Sequence, residues 1–469
     1  MYLHKDNSFF KKLEKFKKNK ALILENEIFV NYEQLLFYSK NISKKLIKKK
    51  KLIFLLGQNN LETISGYVSF VNRNYSIVLL DFKINDIFLK NLISIYQPTY
   101  IFCEKSKIKN KNLYKLILKF KSYNLYQIKK EIDYFLNPNL MLLMSTSGST
   151  GSPKLVRQSY KNVSSNTKQI VKYLNITKED ITITSLPISY VYGLSVINTH
   201  LFVGATIVLT NSSMVEKKFW DLVKNLKVNN LSGVPYSYSI IEKISRNGLP
   251  PTLKYTTQAG GKMNDILIKK IIAIYKKQKI KLIQMYGAAE ATSRMSYLKW
   301  RYAEKKIGSI GKAIPGGSFY LVDNNGRKIL KNFKKGELVY SGKNVYMGYA
   351  ECQKDLSVSD LNNGLLNTGD IAYRDEDNFY YIVGRKNRYV KVYGARIDLS
   401  ELESILSKKG IDTIMKAGDE NKIYIYFKDS SKIIEGIKYL SKVTLINSKV
   451  FMSKILTKKN LTNNLKYKV

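Results

Sequence analysis

Short strand-like runs alternate with helical patterns from about Asn19 to Leu209, and this alternation constrains the fold more than any other feature of the chain. Lys51–Gly57 is an apolar run ending in glycine, Ser76–Asp81 reads S-I-V-L-L-D, and Ala205–Thr210 is a third. Strands that alternate with helices imply a parallel sheet covered on both faces. The stretch from Leu226 to Tyr286 continues in the same style, and its strand Lys281–Tyr286 delivers Tyr286 to a turn at Gly287. The character changes after about residue 300. Ser318–Val322 and Arg327–Leu330 flank Asn325–Gly326, a hairpin signal. Gly336–Ser341 and Phe379–Val383 read as further strands of a small barrel or sheet over about 300–384. Beyond Gly384–Arg385, Ser400 and Glu403 form a capping-box pattern, Leu402, Ile405 and Leu406 supply an apolar face, and Gly410 is placed to end the helix. Ile423–Phe427 then reads as a strand. The expected organisation is an α/β N-terminal domain over 1–386, containing the β-rich subdomain, and a small α+β C-terminal domain over 387–469.

With 469 residues, 44% of them hydrophobic, the chain suffices for two or three such units. No run approaches the ~18 apolar residues of a membrane span. Phe9, Phe10, Leu13 and Phe16 share a helical face among lysines. The reading taken is a surface helix packed on the domain, in preference to a basic membrane-surface helix. Lysines interrupt any signal-peptide core, so a cytoplasmic protein is expected. The two cysteines, Cys103 and Cys352, have no metal or disulfide spacing, and the two histidines, His4 and His200, exclude a histidine metal cluster. Chemistry must come from hydroxyls, lysine, carboxylates and backbone groups. The net charge of +43 invites a nucleic-acid reading. Lysine, asparagine, isoleucine, tyrosine and phenylalanine share A/T-rich codons, however, and the lysines are spread along the whole chain. No specific nucleic-acid partner is expected; the charge would attract smaller anions.

Thr146–Lys154 reads T-S-G-S-T-G-S-P-K and follows the strand-like Leu140–Met144. Glycine lets backbone approach a ligand closely, exposed N–H groups and hydroxyls donate to phosphate oxygens, and Lys154 adds positive charge. The alternative is an ordinary flexible Ser/Gly loop. The Gly-x-x-x-x-Gly-Lys spacing of nucleotide triphosphatases is absent.

This loop resembles the T-S-G-T-T-G-x-P-K signature of the adenylate-forming superfamily, which includes acyl-CoA synthetases, luciferases and peptide-synthetase adenylation domains. Further matches follow in that family's order over almost the whole chain. Pro187–Gly193 is similar to an acyl-pocket segment, Gly233–Pro235 to G-V-P, and Leu253–Gly261 to the strand and turn ending in Gly-Gly. Tyr286–Thr292 resembles Y-G-x-T-E, Gly336–Leu338 with Gly348–Tyr349 resembles G-E-L and G-Y, and Thr368–Asp370 is T-G-D. Gly384–Glu403 resembles G-R-x-D-x-x-K-x-x-G-x-R-I-x-x-x-E-I-E.

The resemblance implies an ATP-dependent, AMP-forming ligase that makes an acyl-adenylate from a small-molecule carboxylate. The acyl group would then pass to CoA or to the phosphopantetheine of an acyl carrier protein, as in fatty acid metabolism. Thr146, Ser147, Gly148, Ser149, Thr150, Gly151 and Lys154 would hold phosphate. Gly260, Gly261, Tyr286 and Gly287 would frame adenine, Asp370 would accept the ribose hydroxyls, and Arg385 would add a cationic contact. Glu290 would be both a catalytic carboxylate and the Mg²⁺ ligand. Tyr190 and Gly193 would line the acyl pocket, Asn387 would be the hinge of a mobile C-terminal lid, and Gly394 would face the thiol channel. Lys466 is the candidate catalytic lysine, with Lys458, Lys459 and Lys468 as rivals, because Leu465 stands where the family has glycine. Ala289 replaces the threonine of Y-G-x-T-E, and Asn387 replaces a usual Asp or Lys. Tyr190 stands where many relatives have histidine, and Ile188–Ser195 holds no Asp for an α-amino group. The missing Asp argues against an α-amino acid substrate, while Ala289, Asn387 and the atypical tail around Lys466 motivate an alternative, a degenerate non-catalytic nucleotide or acyl binder.

Overall fold

A computed structural model describes residues 10–108, 111–129, 132–145, 154–245, 248–323, 325–385, 389–419 and 421–455. The apolar runs form the centres of two large sheets. In the eight-stranded sheet, Leu52–Gly57 lies between Ser76–Asp81 and Tyr100–Glu104, parallel to both, and Leu140–Ser145 adds parallel to Ser76–Asp81. All six residues of Leu52–Gly57 are buried, because helices cover both faces. The nine-stranded sheet carries Ile181–Ile183, Asn230–Gly233, Tyr255–Gln258 and Lys281–Tyr286 in parallel neighbouring order. Antiparallel strands close the edges of both sheets.

Local chemistry sets the helix starts. Ser159 and Asn162 form a reciprocal capping box for Tyr160–Leu174, and Asn60 caps Leu61–Asn72. The short N-terminal 3₁₀ helix, Lys11–Phe16, packs on the domain: Phe10 and Leu13 are fully buried. The Phe16 ring lies so close to Gly204 that a Cβ there would meet it at 2.4 Å. Phe9 lies outside the described residues. No described helix is long and apolar enough to cross a membrane.

The β-rich stretch folds into a five-stranded antiparallel sheet from Gly317–Val322, Lys328–Ile329, Gly336–Gly342, Leu365–Arg374 and Tyr380–Arg385. Its hairpin at Asn325–Gly326 has Gly326 at φ +77° and both Asn325 and Arg327 N–H groups on the Asp323 carboxylate. One strand of this stretch leaves it: Gly348–Ala350 pairs with Leu155–Ser159 in the eight-stranded sheet. The fully buried Arg157 anchors it there, donating to the carbonyls of Tyr349, Met347 and Val358.

The small C-terminal α+β part has its own core, including Val390, Ile397, Leu402, Leu406, Ile425, Phe427 and Leu440. The expected boundary between residues 386 and 387 falls among residues outside the description. The first helix here runs Leu399–Lys408. The capping-box reading therefore places the cap two residues too late: Ser400 lies inside the helix, and Asp398 accepts the Glu401 N–H at 3.4 Å. Glu403 instead accepts the Met415 N–H at 2.5 Å, a tertiary bond to the next strand that no local pattern encodes. Gly410, at φ +77°, ends the helix as expected.

Candidate active site

A cavity of about 280 Å³ opens where the parallel strands Tyr255–Gln258 and Lys281–Tyr286 end, the usual place for a ligand in an open α/β sheet. Its walls include Lys154, Tyr190, Gly260, Gly261, Tyr286, Gly287, Glu290 and Asp370.

Gly260 has φ +79°, and a Cβ on it would meet the Tyr190 hydroxyl at 2.8 Å. A Cβ on Gly287 would sit 1.7 Å from the Ser293 carbonyl oxygen, so the turn after Tyr286 folds back onto the Ser293–Arg294 backbone with no room for a side chain. The Tyr286 hydroxyl donates to Asp370 Oδ2 at 2.5 Å. Asp370 is buried in the strand Leu365–Arg374, opposite Arg385 in register. Ribose recognition by Asp370 and adenine stacking on Tyr286 would therefore be neighbouring tasks of one hydrogen-bonded pair.

Glu290 lies in the 3₁₀ turn Ala289–Ala291, where its Oε1 accepts from the Tyr349 hydroxyl at 2.8 Å. Burial, followed by the Glu290 charge, raises the Tyr349 pKa, which keeps the phenol a donor. The Lys154 ammonium lies 3.9 Å from the centre of the same ring and 3.5 Å from Glu351. One tyrosine thus couples Lys154, the candidate phosphate lysine, to Glu290, the candidate metal carboxylate. Ala289 is buried in the main apolar cluster, and its carbonyl accepts from Gln158 Nε2 at 2.9 Å. Where the family has a hydroxyl, this chain has core packing.

Other expected residues are not at the cavity wall. Gly193 packs against the Leu186–Pro187 backbone, where a Cβ would meet the Pro187 oxygen at 2.1 Å. Its small size serves the entry of helix Val191–Val203. Gly394, at φ +88°, turns the hairpin of Tyr389–Val392 and Ala395–Asp398 against Val234. Thr146, Ser147, Gly148, Ser149, Thr150, Gly151, Asn387 and Lys466 lie outside the described residues.

Lys391 and Arg294 are among the wall residues that the reading of the sequence did not point to. Lys391 reaches the cavity from the C-terminal hairpin, its ammonium 3.7 Å from a Cβ built on Gly261. With Gly394, Arg396 and Ile397 it fits the K-x-x-G-x-R-I part of the matched Gly384–Glu403 segment, a signal that was present. Arg294 lines the cavity at 3% exposure, with its guanidinium carbon 3.7 Å from the centre of the Tyr192 ring. Its position just after Y-G-A-A-E-A-T-S carries no recognisable motif.

Fold and site together define an α/β protein with a ligand cavity at a strand-end crevice, walled by glycine backbone, paired carboxylates and lysine. The chain belongs to the AMP-binding enzyme family, whose model matches residues 9–350. A 2-succinylbenzoate–CoA ligase of Listeria monocytogenes serotype 4b is 28% identical over 277 residues, 59% of this chain and 56% of that protein. The homologous ligase of Bacillus pumilus is 24% identical over 378 residues, 78% of this chain and 74% of its own length. The chain spans little more than half the length of the first of these relatives. Among solved structures, a double mutant of o-succinylbenzoate CoA synthetase from Bacillus subtilis, bound to a product analogue, superposes with a TM-score of 0.79 at 20% identity, covering 97% of this chain and 98% of that one. The same Bacillus enzyme in complex with AMP gives 0.69 at 20% identity, covering 99% and 98%. An artificially fused adenylation–carrier di-domain from Klebsiella oxytoca gives 0.76 at 14% identity, covering 96% and 87%. The fold is therefore the mixed α/β fold of these enzymes.

Proposed function

We propose that the chain is an ATP-dependent, AMP-forming acid–thiol ligase. A substrate carboxylate oxygen attacks the α-phosphorus of ATP, the bond to the bridging oxygen breaks, and pyrophosphate leaves with its electron pair. The acyl-adenylate then yields its acyl group to a thiol, releasing AMP. No protein nucleophile is needed, so catalysis rests on positioning and charge stabilisation. The observation that carries this reading is the convergence of Lys154, Glu290, the Tyr286–Asp370 pair and Gly260–Gly261 on one cavity.

The donor set fits magnesium held largely by the nucleotide. Glu290 is a single carboxylate, and no group of three His, Cys, Asp or Glu among the described residues forms an independent metal cage. Magnesium commonly binds through one or two carboxylates plus substrate phosphates, whose charge it neutralises. The 2-succinylbenzoate–CoA ligases favour CoA as the thiol and an acid other than a fatty acid. The structural neighbour with a fused carrier domain keeps carrier-protein phosphopantetheine as the alternative acceptor. Lys391 and Gly394 on the docked hairpin suit a thiol-transfer role, with residues near 387 as the hinge.

ATP–pyrophosphate exchange tests the reading, using 2-succinylbenzoate, aliphatic diacids, benzoate and fatty acids. Acid-dependent exchange is expected. ATP binding without exchange for any acid would replace it with the non-catalytic nucleotide or acyl binder that Ala289 motivates.

A further inference from the structure

We propose that Asn59 is a positioning residue for the acyl wall: it fixes the segment Leu186–Ile188, and through it Tyr190, against which the activated acid lies. The inference rests on the ligase reading and adds to it a residue outside the cavity wall.

The segment needs an outside hold. Residues 184–190 join strand Ile181–Ile183 to helix Val191–Val203 with no strand or helix structure of their own. Pro187 has no N–H. The carbonyl of buried Leu186 and the N–H of buried Ile188 must therefore find partners elsewhere. Asn59, itself buried, supplies both. Its Oδ1 accepts from the Ile188 N–H at 3.1 Å, and its Nδ2 donates to the Leu186 carbonyl at 3.2 Å. The same Nδ2 donates to the Thr210 carbonyl at 3.2 Å, and the Asn59 N–H donates to Asn211 Oδ1 at 3.2 Å. An amide suits this place because it offers an acceptor and two donors on a short stem. A carboxylate would accept but not donate, and a hydroxyl has one donor.

This clamp joins the two large sheets. Asn59 follows strand Leu52–Gly57 of the eight-stranded sheet, whereas Leu186 and Thr210 follow strands Ile181–Ile183 and Thr206–Val208 of the nine-stranded one. A second tie comes from the neighbouring strand. Asp81 lies opposite Gly57 in register, and its Oδ2 accepts from the Ser189 hydroxyl at 3.1 Å. Ile188 packs beside Gly57, where a Cβ would meet its Cγ2 at 3.1 Å. From this base the Pro187 carbonyl accepts the Tyr190 N–H at 3.0 Å, and Tyr190 enters the cavity wall with its hydroxyl against Gly260.

The strand beside Asp81 completes the argument. Leu140–Ser145 pairs with Ser76–Asp81 and brings Ser145 to the same cavity, just before T-S-G-S-T-G-S-P-K. The acyl wall is thus held to the sheet edge from which the candidate phosphate segment departs. An acid must reach the α-phosphorus in an attacking geometry, so the relative placement of these two parts enters the rate.

Pyrophosphate exchange on the full chain tests this, with the best wild-type substrate among 2-succinylbenzoate, aliphatic diacids, benzoate and fatty acids. Acid and ATP are each varied with the other saturating. Asn59→Ala should raise the acid KM and lower kcat, each on the order of tenfold, and leave the ATP KM unchanged. Ser189→Ala removes only the tie to Asp81 and should raise the acid KM about threefold, the weight of one hydrogen bond. It carries the test where Asn59→Ala does not fold. Asn162→Ala, which loses buried hydrogen bonds elsewhere, should lower the urea midpoint and move neither KM. That same pattern from Asn59→Ala or Ser189→Ala would mark a merely structural role and overturn the proposal, as would an equal rise in both KM values. If the wild type binds ATP but supports exchange with no acid, the ligase reading itself fails and this inference falls with it.

Discussion

Tyr349 shows how one side chain links groups that are far apart in the chain. Its hydroxyl holds Glu290 and its ring carries Lys154. Tyr349→Phe keeps the ring and removes the donor, so Glu290 loses its fixed orientation. Loss of such a supporting bond commonly weakens metal binding about tenfold, and a magnesium titration of pyrophosphate exchange should read that change with Lys154 still in place. Gly287 is constrained differently. A Cβ 1.7 Å from the Ser293 oxygen meets backbone, which cannot swing aside as a side-chain tip can. Gly287→Ala should destabilise the protein by about 3 kcal/mol or more, measured by urea unfolding. The glycine was legible in the chain as part of Y-G-A-A-E, but its reason was not, because Ser293 approaches only after the turn has folded back.

At the scale of elements, buried polar side chains decide where segments meet. Asn162 completes the helix cap at Ser159, and its amide also donates to the carbonyls of Lys343 and Val345 at 2.9 and 2.6 Å. Asn162→Ala would leave the Ser159 N–H without its acceptor and both carbonyls without their donor, costing about 2 kcal/mol or more in urea unfolding. Glu25 joins the end of strand Lys20–Ile23 to the segment after Thr206–Val208. Burial raises its pKa, but hydrogen bonds from Lys218, Thr210 and Asn211 outweigh that and hold it at about 2, below the ordinary 4.5. A depressed folded pKa gives stability that is present above 4.5 and lost as pH falls toward about 2. Glu25→Gln should therefore be less stable than the wild type at neutral pH, with urea midpoints converging through that acidic window. Strands such as Lys281–Tyr286 were readable because their pattern is local. The transfer of Gly348–Ala350 into the other sheet was not, because its anchor, Arg157, lies 192 residues from Tyr349.

For the whole molecule, charge and the placement of the C-terminal hairpin matter most. A net charge of +43 should give retention on a nucleic-acid column that disappears at modest salt, since such binding depends on released counterions. Retention that survived salt would contradict the reading of no specific nucleic-acid partner. The C-terminal hairpin docks through Gly394 beside Val234. Gly394→Val would place a branched side chain at φ +88°, a cost of about 1–2 kcal/mol or roughly tenfold. Acyl-adenylate formation should persist while thioester formation slows by that factor, with the two half-reactions assayed separately.

The parallel-sheet architecture and the order of the T-S-G-S-T-G-S-P-K, Y-G-A-A-E, T-G-D and Gly384–Glu403 segments were all legible in the chain alone. Each depends on short-range periodicity or on a contiguous motif, and these survive without knowledge of packing. The pairing of Tyr286 with Asp370, the coupling of Lys154 to Glu290 through Tyr349, and the exclusion of Gly193 from the cavity wall emerged only from packing. So did the burial of Arg294 with no carboxylate partner among the described residues. These depend on distances between segments far apart in the chain, and on which charges lack a partner once every neighbour is in place.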